Sequence, residues 1–167
     1  MDKIIPYGKH YLDEDDIAAV NEVLRYHPLT QGKFVEEFEE AIADFVGAKY
    51  AVAVSSWTAG LHLAAITAGV KQGHHVVTSP ITFIASANAA LFCGGEVAFS
   101  DIESETLNMC PERLKDTVKK HPSIKAIIPV HYAGLPCDMP KIKFIADDVG
   151  AIIIEDAAHA LGAKYQD

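Results

Sequence analysis

Residues 124–155 read IKAIIPVHYAGLPCDMPKIKFIADDVGAIIIE, and this stretch decides the fold class. The runs at 124–130 and 151–155 each fit a strand that is apolar along its whole length. Residues 140–149, between them, fit a helix. Strand, helix and strand in this order predict a parallel pair of strands joined by a crossover helix.

The same alternation extends toward the N-terminus. The pattern predicts further strands at 50–54, 75–78 and 96–100, and helices at 61–68, 84–92 and 111–118. Two acidic amphipathic helices are predicted before them, at 13–26 and 34–46. Apolar strands separated by helices indicate an α/β fold with a mainly parallel sheet that helices cover on both faces. No linker or repeat interrupts the pattern, so residues 1–167 are assigned to one domain.

Composition narrows the class of protein further. The chain has 167 residues, of which 50% are hydrophobic and 22% charged, with a formal net charge of −9. This composition suits a folded chain with a sizeable core and argues against a nucleic-acid surface. We find neither a signal peptide nor a membrane span, and therefore expect a cytoplasmic protein without a membrane partner. The three cysteines lack metal-ligand spacing, so no metal site is expected.

Polar and aromatic residues follow four of the predicted strands. Because ligands of parallel sheets bind at the carboxyl ends of the strands, these residues are expected to share one site. The turn Ser-Ser-Trp-Thr-Ala at 55–59 leaves backbone N–H groups at a helix N-terminus, which suits a phosphate, although an ordinary N-cap explains it as well. The sequence contains neither a G-x-G-x-x-G nor a P-loop motif.

Asp156 directly follows the apolar run at 152–154. A carboxylate at the end of a buried strand needs a cation or a strong donor, and a protonated heteroaromatic nitrogen, an arginine or a metal would each serve. Alternatively, Asp156 caps the following turn. His159 shares a face with Asp156 if a helical turn begins there. Without further context, His159 is interpreted as a structural histidine, and Phe83 is interpreted as a core residue.

Five segments, in order, resemble the DegT/StrS-type sugar aminotransferases, which are pyridoxal-phosphate (PLP) enzymes of fold type I. The resemblance implies the first part of a PLP-binding large domain, preceded by N-terminal helices. Three of the segments are most similar to the family members of the pseudaminic acid pathway, which aminate C4 of a UDP-linked 4-keto-6-deoxy N-acetylhexosamine. These three are Leu-Thr-Gln-Gly at 29–32, Pro-Ile-Thr-Phe at 80–83 and His-Ala-Leu-Gly at 159–162. The five segments are 29–32, 54–63, 79–88, 129–134 and 154–162.

The resemblance also implies roles for individual residues. Asp156 would pair with the ring nitrogen of PLP and keep it protonated, Phe83 would stack on the ring, and His159 would lie near the ring's 3-hydroxyl. The phosphate would lie at the turn before the first helix of the sheet domain. The implied cofactor-binding residues are Ser56, Thr58, Ala59, Phe83, Asp156 and His159. The implied substrate contacts are Tyr7, Leu29 and Thr30.

The reaction that the resemblance implies is a ping-pong transamination. Glutamate would give its amino group to PLP, and the pyridoxamine-phosphate (PMP) form would pass it to the keto sugar. Members of the family form homodimers, so self-association is expected. The Schiff-base lysine is expected beyond Asp167, and Lys164 lies too near Asp156 to replace it. We therefore expect no catalytic residue within the chain and no turnover by the chain alone.

Two alternatives to the aminotransferase remain open. The first is a sugar dehydratase of the same fold, in which histidine replaces the lysine. The second is a remnant that binds PLP or a partner without catalysis. Trp57 departs from the family, because relatives usually carry a small residue there. An indole at this position either crowds the cofactor or points away from it.

Overall fold

The computed structural model describes residues 9–165 of the chain. The chain divides into two compact units, Met1–Ala53 and Val54–Asp167. The first contains two helices, and the second contains a sheet with the helices that cover it. The assignment of residues 1–167 to a single domain stays a prediction.

The first unit contains helices α1 (Glu14–Tyr26) and α2 (Lys33–Val46), whose ends lie within one residue of those predicted. The Asp13 carboxylate accepts the first free N–H groups of α1, and the Asp16 carboxylate accepts the N–H of Asp13. This reciprocal capping box explains why the helix begins here. Gly47 ends α2 in the left-handed conformation, with φ of 69°, which glycine adopts at little cost.

The apolar stripes of α1 and α2 are largely exposed. Val20 and Leu24 of α1, and Phe38 and Phe45 of α2, all keep more than half of their surface accessible. Ala43 is the one buried residue of the two helices. The 3.6-residue periodicity therefore predicted the helices correctly, while the described residues leave much of their apolar faces uncovered.

The second unit is built on a four-stranded parallel sheet, which confirms the predicted fold class. The strands lie in the order β2-β1-β3-β4, so that β1 and β3 are central. Parallel neighbours require crossover connections, and a helix supplies each of them. The strands are β1 (His75–Thr78), β2 (Glu96–Phe99), β3 (Ile124–Ile128) and β4 (Ile152–Ile153).

Helices cover both faces of this sheet, and each face has its own apolar core. Val76 of β1 and Ile128 of β3 pack with the side chains of α3 and α4. Val77 and Ile127, each one position away in the same strands, pack on the opposite face with α5 and α6. This alternation explains why the strands are apolar throughout. The helices are α3 (Trp57–Thr67), α4 (Ala85–Phe92), α5 (Pro111–Lys120) and α6 (Met139–Val149).

The predicted strand at 50–54 is wrong: these residues form no strand. Tyr50 and Val52 are exposed, and the Ala53 N–H donates to the Glu39 carboxylate at 2.6 Å instead of to a neighbouring strand. An apolar run becomes a strand only if a neighbouring strand accepts its backbone hydrogen bonds. None of the strands within residues 9–165 pairs with this segment.

Four other boundaries differ from the predictions by two residues or more. Helix α5 ends two residues later than predicted, at Lys120, and β4 ends two residues earlier, at Ile153. Helix α3 starts four residues earlier than predicted, because the Ser56 hydroxyl caps it by accepting the Ala59 N–H. Strand β3 ends at Ile128, because Pro129 has no N–H to continue the ladder. Of the helices within residues 9–165, none combines the length and the hydropathy of a membrane span.

Candidate cofactor site

Asp156 lies at the carboxyl edge of the sheet, where its backbone pairs with the residues that follow β3. Its N–H donates to the carbonyl of Pro129 at 2.9 Å, and its carbonyl accepts the N–H of His131 at 3.1 Å. These bonds continue the β3–β4 pairing one step beyond the regular ladder. The backbone of Asp156 therefore belongs to the rigid sheet, and its carboxylate has a defined position.

The Asp156 carboxylate is enclosed by donors. The residue is 5% exposed. Its Oδ2 accepts the Ser86 hydroxyl at 2.6 Å, and its Oδ1 accepts the indole Nε1–H of Trp57 at 2.7 Å. The N–H of Ala158 approaches Oδ1 at 3.4 Å, which is a weak capping contact. The Asp156 carboxylate therefore caps the following turn only weakly, and its shorter hydrogen bonds are those from Ser86 and Trp57.

The donors of Asp156 are neutral. Among the ion pairs of residues 9–165, none involves Asp156. The same described residues contain no group of three metal-ligating side chains. Within residues 9–165, the Asp156 carboxylate thus has neutral hydrogen-bond donors and no cationic side-chain partner.

Ser86 is a site residue that the sequence analysis missed. It is fully buried on α4, and its hydroxyl oxygen lies 2.7 Å from the Thr82 hydroxyl. Because the ionised carboxylate only accepts, Ser86 donates to Asp156 and Thr82 can donate to Ser86. One feature of the sequence could have pointed to Ser86: it is a serine on an otherwise apolar face of a predicted helix, where a buried hydroxyl needs a hydrogen-bond partner.

Helix α3 brings the predicted phosphate-binding residues to the same edge. Ser56 is its N-cap, and Thr58 and Ala59 lie in its first turn. The Ser56 hydroxyl already accepts the Ala59 N–H at 3.2 Å. The backbone N–H groups of Trp57 and Thr58 are therefore the first-turn donors available to an anion. The prediction that Ala59 contributes its N–H would require Ser56 to release it.

Phe83 and His159 are both exposed. Phe83 precedes α4 and is 73% exposed, so its interpretation as a core residue is wrong. His159 lies in a turn closed by the Ala160 N–H and the Ala157 carbonyl, not in a helix. The helical turn that would have placed His159 on one face with Asp156 does not form. The contacts that the family resemblance implies for both rings stay predictions.

The predicted substrate contacts fall in the first unit or outside the described residues. Leu29 and Thr30 are exposed in the segment between α1 and α2. Tyr7 lies outside the described residues. Their role in substrate binding stays a prediction.

His131 and Glu155 form a second polar pair beside Asp156. His131 is buried, and its Nε2 lies 2.8 Å from Glu155 Oε2. In the neutral ring, Nδ1 accepts the backbone N–H of Cys137 at 3.1 Å. Protonation costs that bond, but the Cys137 side chain and the Glu155 carboxylate favour it and raise the pKa of His131 to about 9. The hydrogen bond from His131 in turn lowers the pKa of Glu155.

This pair predicts a pH-dependent contribution to stability. Because folding raises the pKa of His131 from its ordinary value of about 6.5, the stabilisation is complete below that pH and is lost as the pH rises through about 9. We expect Glu155→Gln to lower the free energy of unfolding by about 1 kcal/mol at about pH 6, and by less at about pH 10. Urea unfolding at both pH values measures this.

A matched control for that experiment is Glu105→Gln, which removes the same charge from an exposed residue. It should leave the free energy of unfolding nearly unchanged at both pH values. A loss for Glu155→Gln that is equal at both pH values would contradict the assignment of a charged His131–Glu155 pair.

Comparison with known proteins identifies the family of the chain. The model of the DegT/DnrJ/EryC1/StrS aminotransferase family matches residues 10–167. The chain belongs to this family. It is 41% identical to the spore coat polysaccharide biosynthesis protein SpsC of Bacillus subtilis over 162 residues, which cover 97% of the chain and 41% of SpsC.

Solved structures of the family share the fold described above. PseC of Helicobacter pylori, an aminotransferase involved in the biosynthesis of pseudoaminic acid, is 32% identical with a TM-score of 0.89, over 99% of this chain and 44% of PseC. Spr1654 of Streptococcus pneumoniae in its PLP form is 26% identical with a TM-score of 0.85, over 95% of this chain and 44% of Spr1654. The chain therefore spans about two fifths of the length of these relatives. DegT/DnrJ/EryC1/StrS aminotransferases depend on PLP.

Proposed function

We propose that this chain is the cofactor-binding part of a PLP-dependent aminotransferase that acts on a nucleotide-linked keto sugar in glycan biosynthesis. The observation that carries the proposal is the buried Asp156 carboxylate, held by neutral donors at the ligand-binding edge of a parallel sheet. Membership of the family supports it. The relatives SpsC and PseC, from polysaccharide and pseudoaminic acid biosynthesis, point to a sugar substrate.

Once the Trp57 indole, which now donates to Asp156 Oδ1, is displaced, the side chains present at this edge fit PLP. A buried carboxylate without a cationic partner suits a protonated ring nitrogen, and the first turn of α3 offers N–H groups to a phosphate. The exposed ring of Phe83 offers an aromatic face. When bound, PLP supplies the electron sink that transamination requires.

Each residue of the candidate site has one role in this proposal. Asp156 holds a proton on the ring nitrogen. Ser86 fixes the orientation of Asp156 by occupying its second oxygen at 2.6 Å. The backbone N–H groups of Trp57 and Thr58 bind the phosphate, and Phe83 covers one face of the ring and excludes water from it.

The sequence resemblance supports a more specific proposal for the substrate. The segments at 29–32, 80–83 and 159–162 favour a UDP-linked 4-keto-6-deoxy N-acetylhexosamine that is aminated at C4, with glutamate as amino donor. Tyr7, Leu29 and Thr30 are the proposed substrate contacts, and His159 is proposed to face the cofactor's 3-hydroxyl. We also propose that the protein forms a homodimer and acts in the cytoplasm.

Activity assays test the reaction. A protein that joins this chain to the remaining length of its relatives should convert glutamate to 2-oxoglutarate in step with the loss of the UDP-4-keto sugar, and should use a dTDP-4-keto sugar less well. Loss of the sugar without 2-oxoglutarate would indicate the dehydratase instead. Absence of both turnover and PMP binding would contradict the proposal and leave a partner-binding remnant.

A further inference from the structure

Trp57 occupies the acceptor that the proposed cofactor needs. Its indole Nε1–H lies 2.7 Å from Asp156 Oδ1, although the two residues are 99 positions apart in the sequence. A protonated pyridine nitrogen is likewise an N–H donor on a flat aromatic ring. The indole thus presents to the carboxylate the same kind of group that the cofactor would present.

The structure holds the indole in this position from two sides. Asp156 accepts its N–H, and the six-membered part of the ring lies over Gly60 in the same helix. A Cβ at residue 60 would lie 3.1 Å from Trp57 Cε3, so glycine leaves the space that the ring uses. Trp57 is nevertheless 43% exposed and is the first residue of α3, so its side chain can rotate toward solvent without disturbing the core.

We propose that Trp57 competes with the cofactor for Asp156, so that the indole N–H must leave Oδ1 before the ring nitrogen of PMP can bind there. This inference rests on the proposed cofactor site. In the free chain the indole is the strong donor to Asp156 Oδ1, whose other donor is the weak contact from the Ala158 N–H at 3.4 Å. When PMP binds, its ring N–H replaces the indole N–H as the donor to Oδ1. Breaking the Trp57–Asp156 hydrogen bond costs free energy, and this cost lowers the affinity of the chain for PMP.

The Trp57→Phe variant tests the competition, because phenylalanine keeps an aromatic ring and removes the donor. We expect it to bind PMP about tenfold more tightly than the unchanged chain, since hydrogen bonds to charged groups are among the stronger ones in proteins. Calorimetric titration with PMP measures this. Trp57→Gly removes bulk as well as the donor. If only the glycine variant binds more tightly, crowding is the cause and competition for Asp156 is overturned.

A second readout needs no variant. Trp57 is the single tryptophan of the chain, so a proton–nitrogen NMR spectrum contains one indole N–H signal. PMP should move this signal away from its hydrogen-bonded position, while inorganic phosphate at the same concentration should leave it in place. Asp156→Asn should move it in the same direction without any ligand.

The outcomes separate the inference from the proposed function. PMP binding with equal affinity in the unchanged chain and Trp57→Phe, with an unmoved indole signal, overturns the competition and leaves the cofactor site intact. No PMP binding by the unchanged chain or by either Trp57 variant overturns both. Tighter binding by Trp57→Phe together with a displaced indole signal supports both.

Discussion

Asp156→Asn should weaken PMP binding by about 100-fold, because losing one partner of a buried charge pair costs several kcal/mol. The amide keeps the size of the side chain and removes the negative charge that the proposal places against the protonated ring nitrogen. The effect is expected to exceed that of any other single substitution at the site. Calorimetric titration of both proteins with PMP measures it.

A matched control is Asp101→Asn. Asp101 is exposed beyond the end of β2, and it uses its carboxylate to accept the N–H of Ile102. Asparagine can keep that bond through its carbonyl oxygen while removing the same unit of charge. The control should bind PMP as the unchanged chain does. Equal affinities for the Asp156 and Asp101 variants would refute a direct contact between Asp156 and the cofactor.

Ile127→Ala should lower the free energy of unfolding by about 2–5 kcal/mol, the usual cost of a cavity left by a large aliphatic side chain. Ile127 lies in the central strand β3, is 0% exposed and packs with the α5–α6 face of the sheet. Its carbonyl also accepts the Ile154 N–H at 3.0 Å, two residues before Asp156. Urea unfolding followed by circular dichroism measures the loss.

Ile152→Ala is the matched control for this core position. Ile152 lies in the edge strand β4 and is 45% exposed, so the same truncation removes contacts only in part. We expect its cost to stay below about 1.5 kcal/mol. If both variants lost the same free energy, the two-faced core described for the sheet would be wrong.

The regular elements of the second unit were predictable because each has a local cause. Strand β1 was predicted with both ends correct, since a short apolar run is bounded by polar residues and by Pro80. Helices α4 and α6 were predicted within one residue at each end. The segment at 50–54 failed, because the sequence specifies that it is apolar but not whether a partner strand lies beside it.

The position of the candidate site was predictable, but its hydrogen bonds were not. The rule that ligands bind at the carboxyl ends of parallel strands placed Asp156 correctly at the sheet edge. Its two short contacts join it to Ser86, 70 positions away, and to Trp57, 99 positions away. Such pairings depend on how the helices sit on the sheet, which periodicity does not specify. Trp57 stood out in the sequence as unusual, and the structure gives it a partner.

The nitrogen-15 chemical shift of the ring nitrogen of labelled PMP, bound to the chain, is the most direct measurement of the proposed role of Asp156. We expect a nitrogen that stays protonated from about pH 6 to about pH 9, because a buried carboxylate favours the charged ring. A shift typical of an unprotonated ring nitrogen at neutral pH would contradict it.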